Sequence, residues 1–322
     1  MILIGRTALL ASSVVLTLLL GEVACRIMGW GKEIVYERKL YRSSGDPVLS
    51  YELNPAYAGR SYGTEVKVDH LGFRNNEEVP AQCDPGVFRI VCVGDSFTFG
   101  MGVDAREAWP HVLNEVMPPP PGYGKIEVIN AGVCGYNLIQ YCEEVRAKVF
   151  GLNPSLILVG LVENDLAPPF YVRDGYLCVP RKKTALPIPG KRWLQTHSYL
   201  YQFAAFRYQQ WVTARLGRTN PQLAREIKAQ DTDAWAAQSA ESVLRQTVVE
   251  AAAKGIRMIG VVLDAPPPSP IPALCERAGL PCIPTTLDSG NRLPDRHPNP
   301  AGHRDYARQI AAALATRLTA KP

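Results

Sequence analysis

The chain reads as an α/β protein, a three-layer sandwich with a parallel sheet between two layers of helices. Three observations predict this. Short apolar, β-branched runs recur along the second part of the chain, and helical patterns fill the intervals between them. The first run stops at a glycine, and a serine follows in a sharp turn, as at the ligand-binding edge of an open α/β sheet. The composition, 47% hydrophobic and 20% charged over 322 residues, suits one large domain with additions.

The same composition narrows the function classes. The net charge of +5, from 35 basic and 30 acidic residues, is too mild to argue for a nucleic-acid partner. Eight cysteines include no C-x-x-C, and no Cys/His spacing resembles a zinc site, so neither a metal nor a cofactor is expected. Cys92 falls inside a strand and reads as a small buried hydrophobe. Cys275 and Cys282 are close enough for a disulfide if the body is exported.

In chain order, the first element is a membrane anchor over residues 1–25. Thr7 to Gly21 holds fifteen uncharged residues, and Arg6 can snorkel at one end, which extends the segment to a spanning length. A cleaved signal is disfavoured because Glu22 occupies the third position before the best cleavage point, after Ala24. Arg26, Lys32, Arg38, Lys39 and Arg42 follow the span, a charge bias that by itself favours a cytoplasmic body.

Residues 26–85 read as a linker or collar with little periodicity. Thr64 to Asp69 alternates and predicts a small hairpin or edge strand. His70 and Arg74 flank Leu71-Gly72-Phe73 and read as loop residues, with lining of a site as the alternative.

From residue 86 strands and helices alternate. Strands are predicted at Phe88–Val93, Lys125–Asn130, Ser155–Val162, Ile256–Leu263 and Cys282–Thr285. Helices are predicted at about Glu107–Met117, Leu138–Phe150 and Pro300–Arg317, the last with Asn299 as N-cap and Pro300 in its first position. Parallel topology brings the loops after these strands to one edge. There they gather Ser96, the glycine-containing turn Asn130–Asn137, Glu163-Asn164-Asp165 and Asp295-Arg296-His297. A hydroxyl, backbone N–H groups, a carboxamide, an imidazole and a carboxylate are the parts of an acyl-transfer site.

The order of these blocks resembles the SGNH (GDSL-type) hydrolases, in particular membrane-anchored bacterial members, over residues 86–322. Gly94-Asp95-Ser96 matches the first block, Asn130 and Gly135 the second, Asn164 the third, and Asp295 with His297 the last. The resemblance implies a flavodoxin-like three-layer fold. It makes Ser96 the nucleophile, His297 the base and Asp295 the orienting acid. It makes the Ser96 and Gly135 N–H groups and the Asn164 amide the oxyanion donors. Two departures stand out: the third block has Val162 where the family has glycine, and the last is D-x-H rather than D-x-x-H.

Other candidates read as structural. Asp264 ends a strand and is a lesser alternative for the acid; His303 reads as a surface residue of the last helix; Asp165 reads as a loop tie; His111 and His197 have no partner pattern. An insertion at about 166–233 opens with a hairpin around Asp174-Gly175 and continues through a basic linker, Arg181 to Arg192. It ends in an aromatic helix from Trp193 to Trp211, which packs on the sheet's flank or forms a lid, membrane contact or sugar platform.

The resemblance to anchored bacterial members places the body outside the cytoplasmic membrane, on a single span. The expected activity is hydrolysis of acyl, chiefly acetyl, esters of a cell-envelope or exopolysaccharide substrate. An O-acyltransferase using the same site, or a non-catalytic tethered scaffold, is the alternative.

Overall fold

A computed structural model of the chain describes residues 2–30, 39–173, 176–178, 190, 193–194, 197–219, 234–265 and 269–319. The Asp174-Gly175 turn and, apart from Gly190, the basic linker 181–192 lie outside the described residues. In chain order the elements begin with α1 (Ile2–Met28), β1 (Tyr41–Ser43), β2 (Tyr51–Leu53), β3 (Ala58–Ser61), β4 (Thr64–Lys67), β5 (Val87–Gly94), α2 (Ser96–Phe99), α3 (Trp109–Val116), β6 (Lys125–Gly132) and α4 (Leu138–Ala147). They continue with β7 (Leu156–Val162), β8 (Tyr171–Arg173), β9 (Tyr176–Cys178), α5 (Tyr199–Thr219), α6 (Ala234–Ala253), β10 (Arg257–Asp264), α7 (Ile271–Ala278), β11 (Cys282–Pro284) and α8 (Pro300–Thr319). They form two compact units: Met1–Glu37 with Arg181–Lys228, and Arg38–Pro180 with Ala229–Pro322.

The larger unit is built on a five-stranded sheet of order β11-β10-β7-β5-β6, parallel at every pairing. This is the flavodoxin-like doubly wound order, with its switch point between β5 and β7. Strands buried on both faces must be apolar throughout, and β7 (LILVGLV) is buried at every position. Phe88, Ile90 and Cys92 of β5 share one core with Trp109 and Leu113 of α3 and with Tyr306, Ile310 and Leu314 of α8. On the other side α4 packs on α6, and α6 on α7. Full burial of each large apolar side chain contributes about 1.5–3 kcal/mol.

The structure sharpens several predicted boundaries. The helix expected from Glu107 starts as a 3₁₀ turn, Ala105–Glu107, and becomes α-helical only at Trp109, with Pro110 in the first turn, where its missing N–H costs nothing. The helix from Leu138 stops at Ala147 and gives way to a 3₁₀ turn, Val149–Leu152, closed by Asn153 in the left-handed conformation.

Of the expected collar, residues 39–85 belong to the same compact unit as the sheet, while residues 26–30 belong to the unit that holds α1. The hairpin β3–β4 is present, and β1 pairs with β2. Tyr51 donates from its hydroxyl to the Cys134 carbonyl (2.8 Å), and Gln140 Nε2 donates to the Leu49 carbonyl (2.7 Å). The Tyr136 hydroxyl donates back to the Tyr51 carbonyl. Arg89, fully buried in β5, pairs with Glu127 and donates to the carbonyls of Pro80 and Gln82, which fastens the end of the collar to the sheet.

The smaller unit joins α1 to α5. Leu9–Met28 of α1 is long and apolar enough to cross a membrane, and Leu9, Leu10, Leu16 and Leu20 stand exposed. Glu22 accepts hydrogen bonds at the start of α5, from the backbone N–H of Tyr199 and Leu200 and from the Ser198 hydroxyl. Arg26 donates to the His197 carbonyl (2.8 Å), and Trp30 stacks on Phe203 at 5.2 Å.

Candidate active site

Ser96 opens the one-turn helix α2 directly after β5. A short helix can sit on the strand ends only where side chains are missing: a Cβ on Gly132 would lie 2.3 Å from the Phe99 nitrogen. Asp95 caps this turn, its Oδ1 accepting the Phe97 N–H at 2.9 Å. Burial pushes the Asp95 carboxyl up, against the Phe97 N–H bond and the His297 charge, which favour its ionised form.

The structure brings Ser96, His297 and Asp295 together across 201 residues. His297 Nε2 lies 2.8 Å from Ser96 Oγ. Asp295 Oδ2 lies 3.1 Å from His297 Nδ1, an ion-pair contact rather than an aligned hydrogen bond, and Asp295 Oδ1 accepts the His297 backbone N–H at 3.1 Å. Burial raises the Asp295 pKa, but the imidazole contact, the charge of His297 and its backbone N–H outweigh it, and the carboxyl ends below its ordinary value.

The D-x-H spacing works because Arg296 takes a left-handed conformation, φ 77°. That folds the carboxylate back onto the ring two residues later. Arg292 holds the same loop: its guanidinium donates to the Arg296 carbonyl (2.9 Å) and forks onto Asp264 at 2.9 and 3.3 Å. The Phe97 ring lies 5.1 Å from the imidazole and limits its rotation.

Gly135 and Asn164 frame the other side. Gly135 has φ +80°, and a Cβ there would strike the Phe170 ring at 2.4 Å, so only glycine can present its N–H here. Among the described residues that N–H has no hydrogen-bond acceptor. Asn164 Nδ2 makes a long contact, 3.5 Å, with Asp95 Oδ2, which also accepts from Ser96 Oγ at 3.3 Å. Val162, in the glycine position of the third block, donates its N–H to Asp165 Oδ2 (2.8 Å), while Tyr141 donates to Asp165 Oδ1 (2.6 Å). Asp165 thus closes the turn that presents Asn164.

The remaining candidates stand elsewhere. Asp264 is occupied by Arg292 and is not the partner of His297. His303, expected at the surface, is fully buried: α8 turns this face to α3, and its Nδ1 accepts the Trp109 N–H at 3.2 Å. His111 is partly buried, 3.4 Å from the Arg74 carbonyl. His197 lies in the smaller unit, stacked on Trp193, and His70 is exposed beside Glu78. Asn299 caps α8 through its Oδ1, which accepts the Gly302 N–H at 3.0 Å. Cys275 and Cys282 are free thiols. Among the described residues no group of three or more His, Cys, Asp and Glu is disposed to hold a metal.

Arg292, Phe170 and Asn75 escaped the sequence reading, while Arg74, expected as a loop residue with lining of a site as the alternative, is fully buried. Each of the four makes contacts with residues far along the chain.

No protein-family model and no curated protein matches the sequence. Solved structures do resemble the fold. An esterase from Pseudoalteromonas is 13% identical, with 72% of this chain and 100% of that chain covered, at a TM-score of 0.43. A structure described as a lipolytic protein of the G-D-S-L family, from Desulfitobacterium hafniense, is 14% identical, covering 70% and 99%, at 0.42. An acetylxylan esterase from Geobacillus stearothermophilus is 14% identical, covering 73% and 95%, at 0.38. Likenesses of this size leave the chemistry to be read from the chain's own side chains.

Proposed function

We propose that the chain is a serine ester hydrolase of the SGNH type, held at the cytoplasmic membrane by α1 with its catalytic body outside. The observation that carries this reading is the 2.8 Å contact between Ser96 Oγ and His297 Nε2, with Asp295 against the far ring nitrogen.

In this mechanism His297 Nε2 takes the Ser96 proton as the oxygen attacks the ester carbonyl, a step worth roughly 10²–10⁴ in rate. The Ser96 and Gly135 N–H groups and the Asn164 amide receive the oxyanion, each worth about 10²–10³. The imidazolium, facing the Asp295 carboxylate, then protonates the leaving alcohol. Water, activated by the same imidazole, releases the acyl group from Ser96.

The substrate class follows more loosely. We read it as an acylated, chiefly acetylated, carbohydrate of the cell envelope or an exopolysaccharide, in keeping with the acetylxylan esterase among the similar folds. The anchor reading is supported by Glu22 and Arg26: both engage the start of α5, so the end of α1 is part of a folded unit rather than a segment to be cut away.

The test is a fluorophosphonate probe together with p-nitrophenyl acetate and an acetylated polysaccharide. Wild type is expected to be labelled at Ser96 and to release acetate from both esters, and Ser96→Ala to do neither. Equal turnover in purified Ser96→Ala would remove the assignment.

A further inference from the structure

The collar contributes one group whose reach is out of proportion to its place in the sequence. Arg74 is fully buried. Its Nη1 donates to the carbonyls of Phe99 (2.7 Å) and Gly100 (2.6 Å), and its Nη2 to that of Val103 (2.7 Å). The guanidinium also lies 4.4 Å over the Phe99 ring. The Phe99 and Gly100 carbonyls close α2, the turn that Ser96 begins, and the Val103 carbonyl belongs to the loop that follows. The last carbonyls of a helix have no partner within it, and a one-turn helix cannot hold itself together, so an external cation at this end supplies what the turn lacks.

The neighbouring side chain reaches the second block. Asn75 Oδ1 accepts the Asn130 N–H at 3.2 Å, and Asn130 Nδ2 donates to the same Phe99 carbonyl at 3.3 Å. Asn130 Oδ1 accepts the Gly132 N–H (3.0 Å), at the start of the turn that leads to Gly135. Asp69 fixes the dipeptide from behind, accepting from Leu71 N (3.0 Å), Phe73 N (2.8 Å) and Asn75 Nδ2 (3.2 Å). Residues 69–75 thus join the nucleophile turn to the strand end that carries an oxyanion donor.

The arrangement is costly for mere packing. A buried guanidinium is expensive unless its donors are satisfied; here carbonyl oxygens accept from both terminal nitrogens, while among the described residues Arg74 Nε has no partner. Three carbonyls converging on one fork fix their mutual geometry more tightly than a lysine's single point could.

We propose that Arg74 is a positioning residue for the hydrolase reaction: by gripping the end of α2 it sets Ser96 Oγ and the Ser96 N–H in register with His297 and Gly135. This rests on the serine-hydrolase reading above. Arg74 touches neither substrate nor reacting atoms, so its loss should appear in kcat and leave KM nearly unchanged.

The experiment compares Arg74→Met, Arg74→Lys and Asn75→Ala in the full-length protein, each checked for folding by circular dichroism. Steady-state kinetics on p-nitrophenyl acetate and the rate of fluorophosphonate labelling are the readouts. Arg74→Met is expected to lose about 10²-fold in kcat and a comparable factor in labelling rate, with KM within about threefold. Arg74→Lys should recover about tenfold of that loss, and Asn75→Ala should lose about tenfold in kcat. If Arg74→Met does not fold, the lysine and Asn75 variants carry the decision. Folded variants that keep kcat within twofold, or that lose activity through KM alone, would overturn the proposal while leaving the hydrolase assignment standing. A wild type that the probe does not label would instead remove the assignment, and this proposal with it.

Discussion

Asp295 meets His297 at two points, its Oδ1 accepting the His297 backbone N–H and its Oδ2 lying against ring Nδ1, both at 3.1 Å. One carboxylate therefore fixes the loop and faces the base. Asp295→Asn keeps the size and one acceptor but loses the charge that favours the imidazolium. The expected loss in kcat is between about 10² and 10⁴-fold, with KM little changed. Steady-state kinetics on p-nitrophenyl acetate measure it, and a loss below tenfold would show that Ser96 and His297 work as a dyad.

The double contact depends on Arg296 at φ 77°. Glycine adopts this conformation freely and valine does not. Arg296→Gly should retain most of the activity. Arg296→Val should cost about 1–3 kcal/mol and displace the loop, seen as a lower Tm and a lower kcat together.

His303 makes stability depend on acidity. Burial, helped by the nearby charges of Arg74 and His297, holds its pKa down to about 3, against an ordinary 6.5. As pH falls below 6.5 the unfolded chain binds a proton that the folded chain refuses until about pH 3. The folded state therefore loses up to about 1.4 kcal/mol per pH unit in that window. His303→Asn keeps an acceptor for the Trp109 N–H but does not titrate. Urea unfolding at pH 7, 5.5 and 4.5 should show a smaller acid loss in the variant than in wild type.

Glu144 acts in the opposite direction. It is fully buried, and among the described residues neither carboxyl oxygen has a hydrogen-bond partner. Burial, offset in part by the Lys148 charge, pushes its pKa up to about 8 from an ordinary 4.5. Its contribution to stability is complete below pH 4.5 and is lost as pH rises through 8. Glu144→Gln should gain on the order of 2–4 kcal/mol relative to wild type on going from pH 5 to pH 8, measured by urea unfolding at both.

Glu22 ties α5 to α1 through two backbone N–H groups and the Ser198 hydroxyl. Glu22→Ala should cost the two-helix unit about 0.5–2 kcal/mol, as loss of a helix cap does. In detergent, trypsin should then cut at Arg207 and Arg215 faster than in wild type, with the sheet unit unaffected.

The sequence by itself determined the sheet, since β5, β6, β7 and β10 are apolar runs whose burial is demanded by composition alone. It also determined which loops share an edge, because parallel strands with crossover helices leave no other choice. Ser96, the Asn130–Asn137 turn, Asn164, Asp295 and His297 were legible at one edge for that reason, while the resemblance singled out Gly135 and supplied the expected roles. Tertiary structure alone decided how the short D-x-H spacing closes, since a left-handed Arg296 has no signature in residue type. It alone decided that His303 faces inward, because which stripe of α8 is buried depends on where α3 lies. And it alone gave Arg74 its place: a guanidinium finds three carbonyls 25 to 29 residues away only once the fold has brought the end of α2 and the loop after it to the collar.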